Sequence, residues 1–110
     1  VNTAEKARQL VDAVKYPPIG DRGLDGAGLD ADFYFCDVDA FVKHANQETF
    51  LVVQIETPQA VNNADAIASV AGVDGIFVGP GDLGLRLRQD ASNMKLEAAI
   101  EQVAAACKRH

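Results

Sequence analysis

Basic excess, paired cysteines and long apolar runs are all wanting in this sequence, and each lack closes off a class of function. Ten Lys and Arg residues face sixteen Asp and Glu, for a net charge of −6. The basic residues are scattered, with no cluster larger than a pair such as Arg86 and Arg88, so no basic stripe exists to track a nucleic-acid backbone. The two cysteines, Cys36 and Cys107, lie far apart and form no Cys-x-x-Cys unit, which argues against structural zinc. Two reduced, buried thiols are expected instead. No stretch approaches the roughly 20 apolar residues of a membrane span. No charged-then-apolar leader is seen either, so a cytoplasmic protein with no membrane partner is expected. A phosphate-binding P-loop and a Ser-based nucleophile elbow are also absent.

What is present is the composition of a globular domain, 48% hydrophobic and 24% charged over 110 residues, and residues 1–110 are read as one domain. Ala4, Ala7, Leu10, Val11 and Val14 recur at helical spacing, with Asn2 or Thr3 as cap and Glu5 placed for a capping box. The helix stops near Lys15, because Pro17 and Pro18 follow. Residues 16–32, with Gly20, Gly23, Gly26 and Gly28, read as a long loop holding at most a very short strand near Gly20 to Gly23. A short helix over 37–46 comes next. Phe50 to Ile55 is a β-rich run without clean alternation, which suits a strand buried on both faces. Thr57 and Pro58 open a helix that Gly72 ends. Val73 to Val78 is a second strand, followed by a loop from Gly79, and Met94 to Lys108 is a last helix. Strands alternating with helices define the α/β class with parallel βα units.

In such folds ligands gather at the carboxyl ends of the strands. Glu56 ends the first strand, and Asp82 follows the second, so both acids belong to one rim. Two carboxylates on neighbouring strands repel and call for a cation or a shared proton. Oxygen ligands suit Mg²⁺ or Mn²⁺, with Co²⁺ a further option. The plainer alternative makes Glu56 a surface acid and Asp82 an N-cap for the turn at Leu83. Gln54 lies two residues before Glu56 and so points the same way. Gly79-Pro80-Gly81-Asp82 offers close backbone approach and free N–H groups to an anion, or is simply a turn. Arg22 has two equal readings, an anion contact or a structural pair with Asp21. His44 and His110 read as surface residues.

Four stretches carry a resemblance: Asn2-Thr-Ala-Glu5, Tyr16-Pro-Pro-Ile-Gly-Asp-Arg-Gly23, Val53-Gln-Ile-Glu-Thr57 and Gly72-Val-Asp-Gly-Ile-Phe-Val-Gly-Pro-Gly-Asp-Leu83. In this order they resemble the HpcH/HpaI aldolases, the class II pyruvate aldolases. The resemblance implies part of a (β/α)8 TIM barrel, from roughly its fourth helix to its seventh. It implies a lyase that cleaves or forms a C–C bond next to pyruvate in 2-oxo acids, with a divalent metal stabilising the enolate. It places the metal on Glu56 and Asp82 and gives Gln54 a catalytic position beside it. Gly79, Pro80, Gly81 and Asp82 are placed near the pyruvate carboxylate. The family's catalytic Arg and acid–base His belong to earlier strands that nothing here matches, and Arg22 does not replace that Arg. The chain alone is therefore expected to be inactive. The other reading is a non-catalytic half-barrel that self-assembles or complements another chain, and a homo-oligomer is expected in either case.

Overall fold

The computed structural model describes all residues from Val1 to His110. Six α-helices and two strands follow in the order α1 (Ala4–Val14), α2 (Val38–Glu48), β1 (Val52–Ile55), α3 (Pro58–Asn62), α4 (Ala64–Ala68), β2 (Gly75–Val78), α5 (Pro80–Leu87) and α6 (Leu96–Cys107). A 3₁₀ turn over Leu29–Tyr34 precedes α2. β1 and β2 are parallel, with Val52 opposite Gly75 and Ile55 opposite Val78. The connection through α3 and α4 makes this a βαβ unit, the geometry that parallel strands require.

Helix α1 begins at Thr3, whose hydroxyl accepts the Lys6 N–H at 3.2 Å. With Thr3 rather than Asn2 as the cap, Glu5 falls out of register for a capping box. Asn2 instead accepts the Thr57 hydroxyl at 2.9 Å, tying the start of α1 to the end of β1. Lys15 ends the helix and is buried. Its ammonium donates to the carbonyls of Asn46 and Thr49 and lies 3.8 Å from Asp74, so the buried charge is satisfied where α2 ends and β2 begins.

Asp74 also sets where the sheet starts. Its carboxylate accepts the Leu51 N–H at 2.7 Å, and its own N–H donates to the Leu51 carbonyl at 2.9 Å. The ladder then begins at Val52 and Gly75, two residues inside each expected strand. The helix expected over residues 57–72 is divided at Asn63, whose φ of −95° and ψ of 6° leave the helical region. The Asn63 amide there donates to the Asn2 carbonyl at 2.8 Å, an anchor outside its own helix. Gly72 closes the segment with φ of 97°, and a Cβ there would stand 2.5 Å from Val11 Cγ1. Glycine thus meets both the left-handed turn and the close approach of α1.

One face of the sheet is covered. Val53 and Ile55 pack with Ala60, Val61, Ala64, Ile67, Leu83, Leu87, Ala99 and Val103 in the apolar core. The Gln102 amide donates to the Val61 carbonyl at 3.0 Å and fixes α6 across α3. The other face is open, and Val52, Gln54 and Phe77 are exposed there. The expectation of strands buried on both faces is corrected: within this chain β1 alternates between exposed and buried, and β2 is only partly buried with Phe77 exposed, because helices lie on one side only.

Three further expectations change. Residues 79–93 contain α5, which the Gly-Pro-Gly sequence hides; Pro80 sits at its first turn, and Leu83 and Leu87 reach the core one helical turn apart. Residues 20–23 form no strand, because the N–H groups of Asp21 and Arg22 donate to Asp12 and Lys15 at 2.9 Å each. The cysteines are free as expected but not buried: Cys107 is exposed, and Cys36 is half-buried with its thiol donating to the Ala31 carbonyl at 3.1 Å. Residues 24–35 expose Leu24, Leu29, Phe33, Tyr34 and Phe35, and the molecule extends 56 × 24 × 19 Å. No helix is long and apolar enough to cross a membrane.

Candidate functional site

The carboxyl ends of β1 and β2 bring the candidate residues together. Ile55 is held on the covered face, so the two-residue period of the strand turns Gln54 and Glu56 to the opposite side. The Gln54 amide donates to Glu56 Oε2 at 3.1 Å, fixing one carboxylate oxygen. Across the ladder, the Gly79 N–H donates to the Ile55 carbonyl at 2.9 Å. A Cβ on Gly79 would lie 2.7 Å from Gln54 Nε2 and 3.2 Å from Glu56 Oε2. The bare backbone is what lets the second strand end run against these two side chains.

Pro80 then starts α5, and Asp82 lies in its first turn. Asp82 is not the N-cap; Gly79 is, and its carbonyl accepts the Leu83 N–H at 3.0 Å. The N–H groups of Gly81 and Asp82 have no backbone acceptor, and they point out of a helix start, where anions are favoured. Arg86, one turn along α5, joins the two acidic segments. Its Nη1 donates to the Glu56 carbonyl at 3.0 Å and stands 3.5 Å from Asp82 Oδ1. Beside it lies a 590 Å³ cleft whose lining includes Asn2, Thr3, Lys6, Glu56, Thr57 and Arg86.

The donor set at this rim is two carboxylates and one amide. No group of three or more His, Cys, Asp or Glu side chains gathers here or elsewhere. A soft-metal site is thus not built, whereas a hard cation that keeps several waters needs only one or two carboxylates plus substrate oxygens. Glu56 and Asp82 fit that requirement.

Other candidates stand apart from the rim. Arg22 forms no ion pair with Asp21; its guanidinium lies over the Tyr16 ring, 4.7 Å from the centroid. His44 is exposed on α2. His110 contacts Asp65 Oδ1 at 3.2 Å, alongside Arg109 at 2.7 Å. The hydrogen bond from Arg109, seconded by His110, holds the Asp65 carboxyl below the usual carboxylate range. Sequence reasoning missed Arg86. The signal was its spacing of four from Asp82, which makes a pair only once that stretch is read as a helix.

The sequence matches the HpcH/HpaI aldolase/citrate lyase family profile over residues 1–110. A 2-keto-3-deoxy-L-rhamnonate aldolase of Klebsiella pneumoniae subsp. pneumoniae is 43% identical over 104 residues, covering 93% of this chain and 39% of that enzyme. The enzyme of the same name from Salmonella paratyphi B is 45% identical over 103 residues, covering 92% and 38%. The crystal structure of an HpcH/HpaI aldolase from Desulfitobacterium hafniense DCB-2 superimposes with a TM-score of 0.84 at 35% identity, over 99% of this chain and 42% of that one. The chain thus spans about two fifths of the length of the relatives it matches. Its fold is part of a (β/α) barrel, and the open sheet face is the side that turns to the barrel interior.

Proposed function

The chain belongs to the HpcH/HpaI aldolase/citrate lyase family, and from that premise we propose that it carries the metal-binding rim of a class II aldolase acting on 2-oxo acids. The reaction breaks or forms the C–C bond next to pyruvate. The observation that carries this reading is the meeting of Glu56, Gln54 and Gly79 at adjacent strand ends, with Asp82 in the following turn. The named relatives suggest a 2-keto-3-deoxy sugar acid as the substrate class.

Glu56 and Asp82 would hold Mg²⁺ or Mn²⁺, and such an ion supplies Lewis-acid polarisation of the ketone oxygen. Gln54 steadies Glu56 by its 3.1 Å hydrogen bond and presents its amide to a water or a substrate oxygen. The N–H groups of Gly81 and Asp82 receive the substrate carboxylate at the start of α5, where the helix dipole favours negative charge. Cleavage requires the substrate hydroxyl to lose a proton and the new carbanion carbon to gain one. Neither acid serves that purpose while it binds a cation. The resemblance assigns proton transfer to an Arg and a His outside these residues, so the 110-residue chain alone would show no turnover. We place the protein in the cytoplasm as a homo-oligomer.

Calorimetric titration of the intact protein with Mn²⁺ tests the site. Loss of binding in both Glu56→Ala and Asp82→Ala is expected. An unchanged affinity in either variant sinks the shared site. A second reading, a half-barrel that assembles without catalysis, draws on the open sheet face with Val52 and Phe77 exposed.

A further inference from the structure

The guanidinium of Arg86 is anchored at one end only. Its 3.0 Å contact with the Glu56 carbonyl is a directional hydrogen bond, whereas its 3.5 Å separation from Asp82 Oδ1 is too long to be a good one. The Arg86 and Asp82 side chains are 44% and 61% exposed, so packing locks neither in place. Asp82 is free to turn toward another cation while the backbone bond keeps the Arg86 charge at the rim. Lys6 adds a second positive side chain to the same cleft. The Glu56–Asp82 pair is thus offset by at least one fixed positive charge.

We infer that Arg86 is a built-in counter-ion of the cation site: it shares the Asp82 carboxylate with the metal and holds metal affinity below what Glu56 and Asp82 would give by themselves. The inference rests on the proposed cation site. A consequence follows from the charges. With Arg86 in place, Glu56 and Asp82 present a net charge near −1 to a divalent ion. A third anionic donor, such as the carboxylate of a 2-oxo acid, restores the missing negative charge. Cation and substrate therefore strengthen each other's binding, as linkage requires. Arg86 acts through Asp82 and is a positioning residue that sets affinity.

The test uses the intact protein and Mn²⁺ alone, read by the spin-resonance signal of free Mn²⁺ and by calorimetry. Arg86→Gln removes the charge while keeping a polar side chain at this position; Arg86→Lys keeps the charge. Arg86→Gln should bind Mn²⁺ roughly fivefold more tightly than wild type, the scale of one partly exposed charge acting on a divalent ion. Arg86→Lys should stay near wild type. The gap between Arg86→Gln and wild type should narrow when ionic strength rises from about 0.05 to about 0.5 M. Damage to the fold can only weaken binding, so a gain is not a structural side effect. Pyruvate should tighten Mn²⁺ binding more in wild type than in Arg86→Gln. Equal or weaker binding by Arg86→Gln, with Glu56→Ala still abolishing the site, overturns the counter-ion role and leaves the metal site standing. Binding that Glu56→Ala does not disturb removes the metal site, and this inference with it.

Discussion

Ile55 and Glu56 are neighbours in the chain and opposites in the fold. Ile55 is fully buried beneath the helices, while Glu56 lies at the end of the open face, bonded to Gln54 and approached by Gly79. The same contrast runs along the sheet. Val53 and Ile55 are buried, whereas Val52 and Phe77 are 48% and 57% exposed. One face carries the stability of the βα layer, and the other carries the polar groups Gln54 and Glu56, bonded to each other, with Arg86 donating to the Glu56 carbonyl. The difference shows how a parallel sheet separates its tasks: side chains alternate, so a residue committed to packing leaves the next one free for chemistry.

Substitution at these two neighbours should separate the tasks most sharply. Ile55→Ala is expected to cost about 2–5 kcal/mol, the range for deleting a buried aliphatic side chain in a core that cannot collapse. Glu56→Ala should change stability by no more than about 0.5 kcal/mol, as for other surface positions, while abolishing Mn²⁺ binding. Denaturant unfolding and metal titration of both variants in the intact protein measure the contrast. A Glu56→Ala variant as unstable as Ile55→Ala would merge the two faces into one structural role.

Much of this contrast is legible in the sequence, and the failures have physical causes. The apolar spacing of α1 and α6 and the β-rich runs at 50–55 and 73–78 identify their elements, because each pattern reflects burial within the element itself. The shared direction of Gln54 and Glu56 follows from the strand period alone. Helix α5 is not legible: Pro80, Gly81 and Gly84 are poor helix residues, and the segment is helical because Leu83 and Leu87 reach a core formed by distant residues. Arg86 is hidden for the same reason, since its two contacts exist only when α5 does. The one-sided burial of β1 and β2 also eludes the sequence. An apolar run shows that a residue can be buried; it does not show whether this chain or another stretch of the barrel provides the cover.

That last point sharpens into a test on the open face. The 110-residue chain, purified alone, is expected to self-associate, because Val52 and Phe77 lie uncovered on the open face. Each such side chain left in water forgoes roughly 1.5–3 kcal/mol against a whole-domain margin of about 5–15 kcal/mol. Phe77→Ala should weaken that association by less than Ile55→Ala weakens folding, since the exposed ring gives up no packing within the chain. Size-exclusion chromatography with light scattering reads the outcome. A monomer that unfolds cooperatively at micromolar concentration would show that the half-barrel needs no cover for this face.

The smallest effect belongs to an exposed charge cluster at the opposite end of the strands from the acidic rim. Asp65 accepts a 2.8 Å hydrogen bond from Arg109 and contacts His110 at 3.2 Å. Arg109 is the main reason its carboxyl titrates below the usual range. A carboxylate whose pKa is lower in the folded chain than in the unfolded one adds stability above the unfolded value, near 3.8, and loses it as pH falls through the folded value. The pair is exposed, so solvent and salt screen it and the contribution is slight. Asp65→Asn should therefore lower the denaturant midpoint slightly at pH 7, and the difference should shrink as pH falls through the folded carboxyl's value, where the wild-type side chain also becomes neutral. Parallel urea titrations of the intact protein and its Asp65→Asn variant across that window decide it. The mutational difference should be independent of any change at Glu56 or Ile55, because Arg109 and His110 follow α6 at the opposite end of the strands from the acidic rim. A coupling between Asp65→Asn and Glu56→Ala in a double-mutant cycle would mean that the two ends of this barrel segment communicate through the covered face.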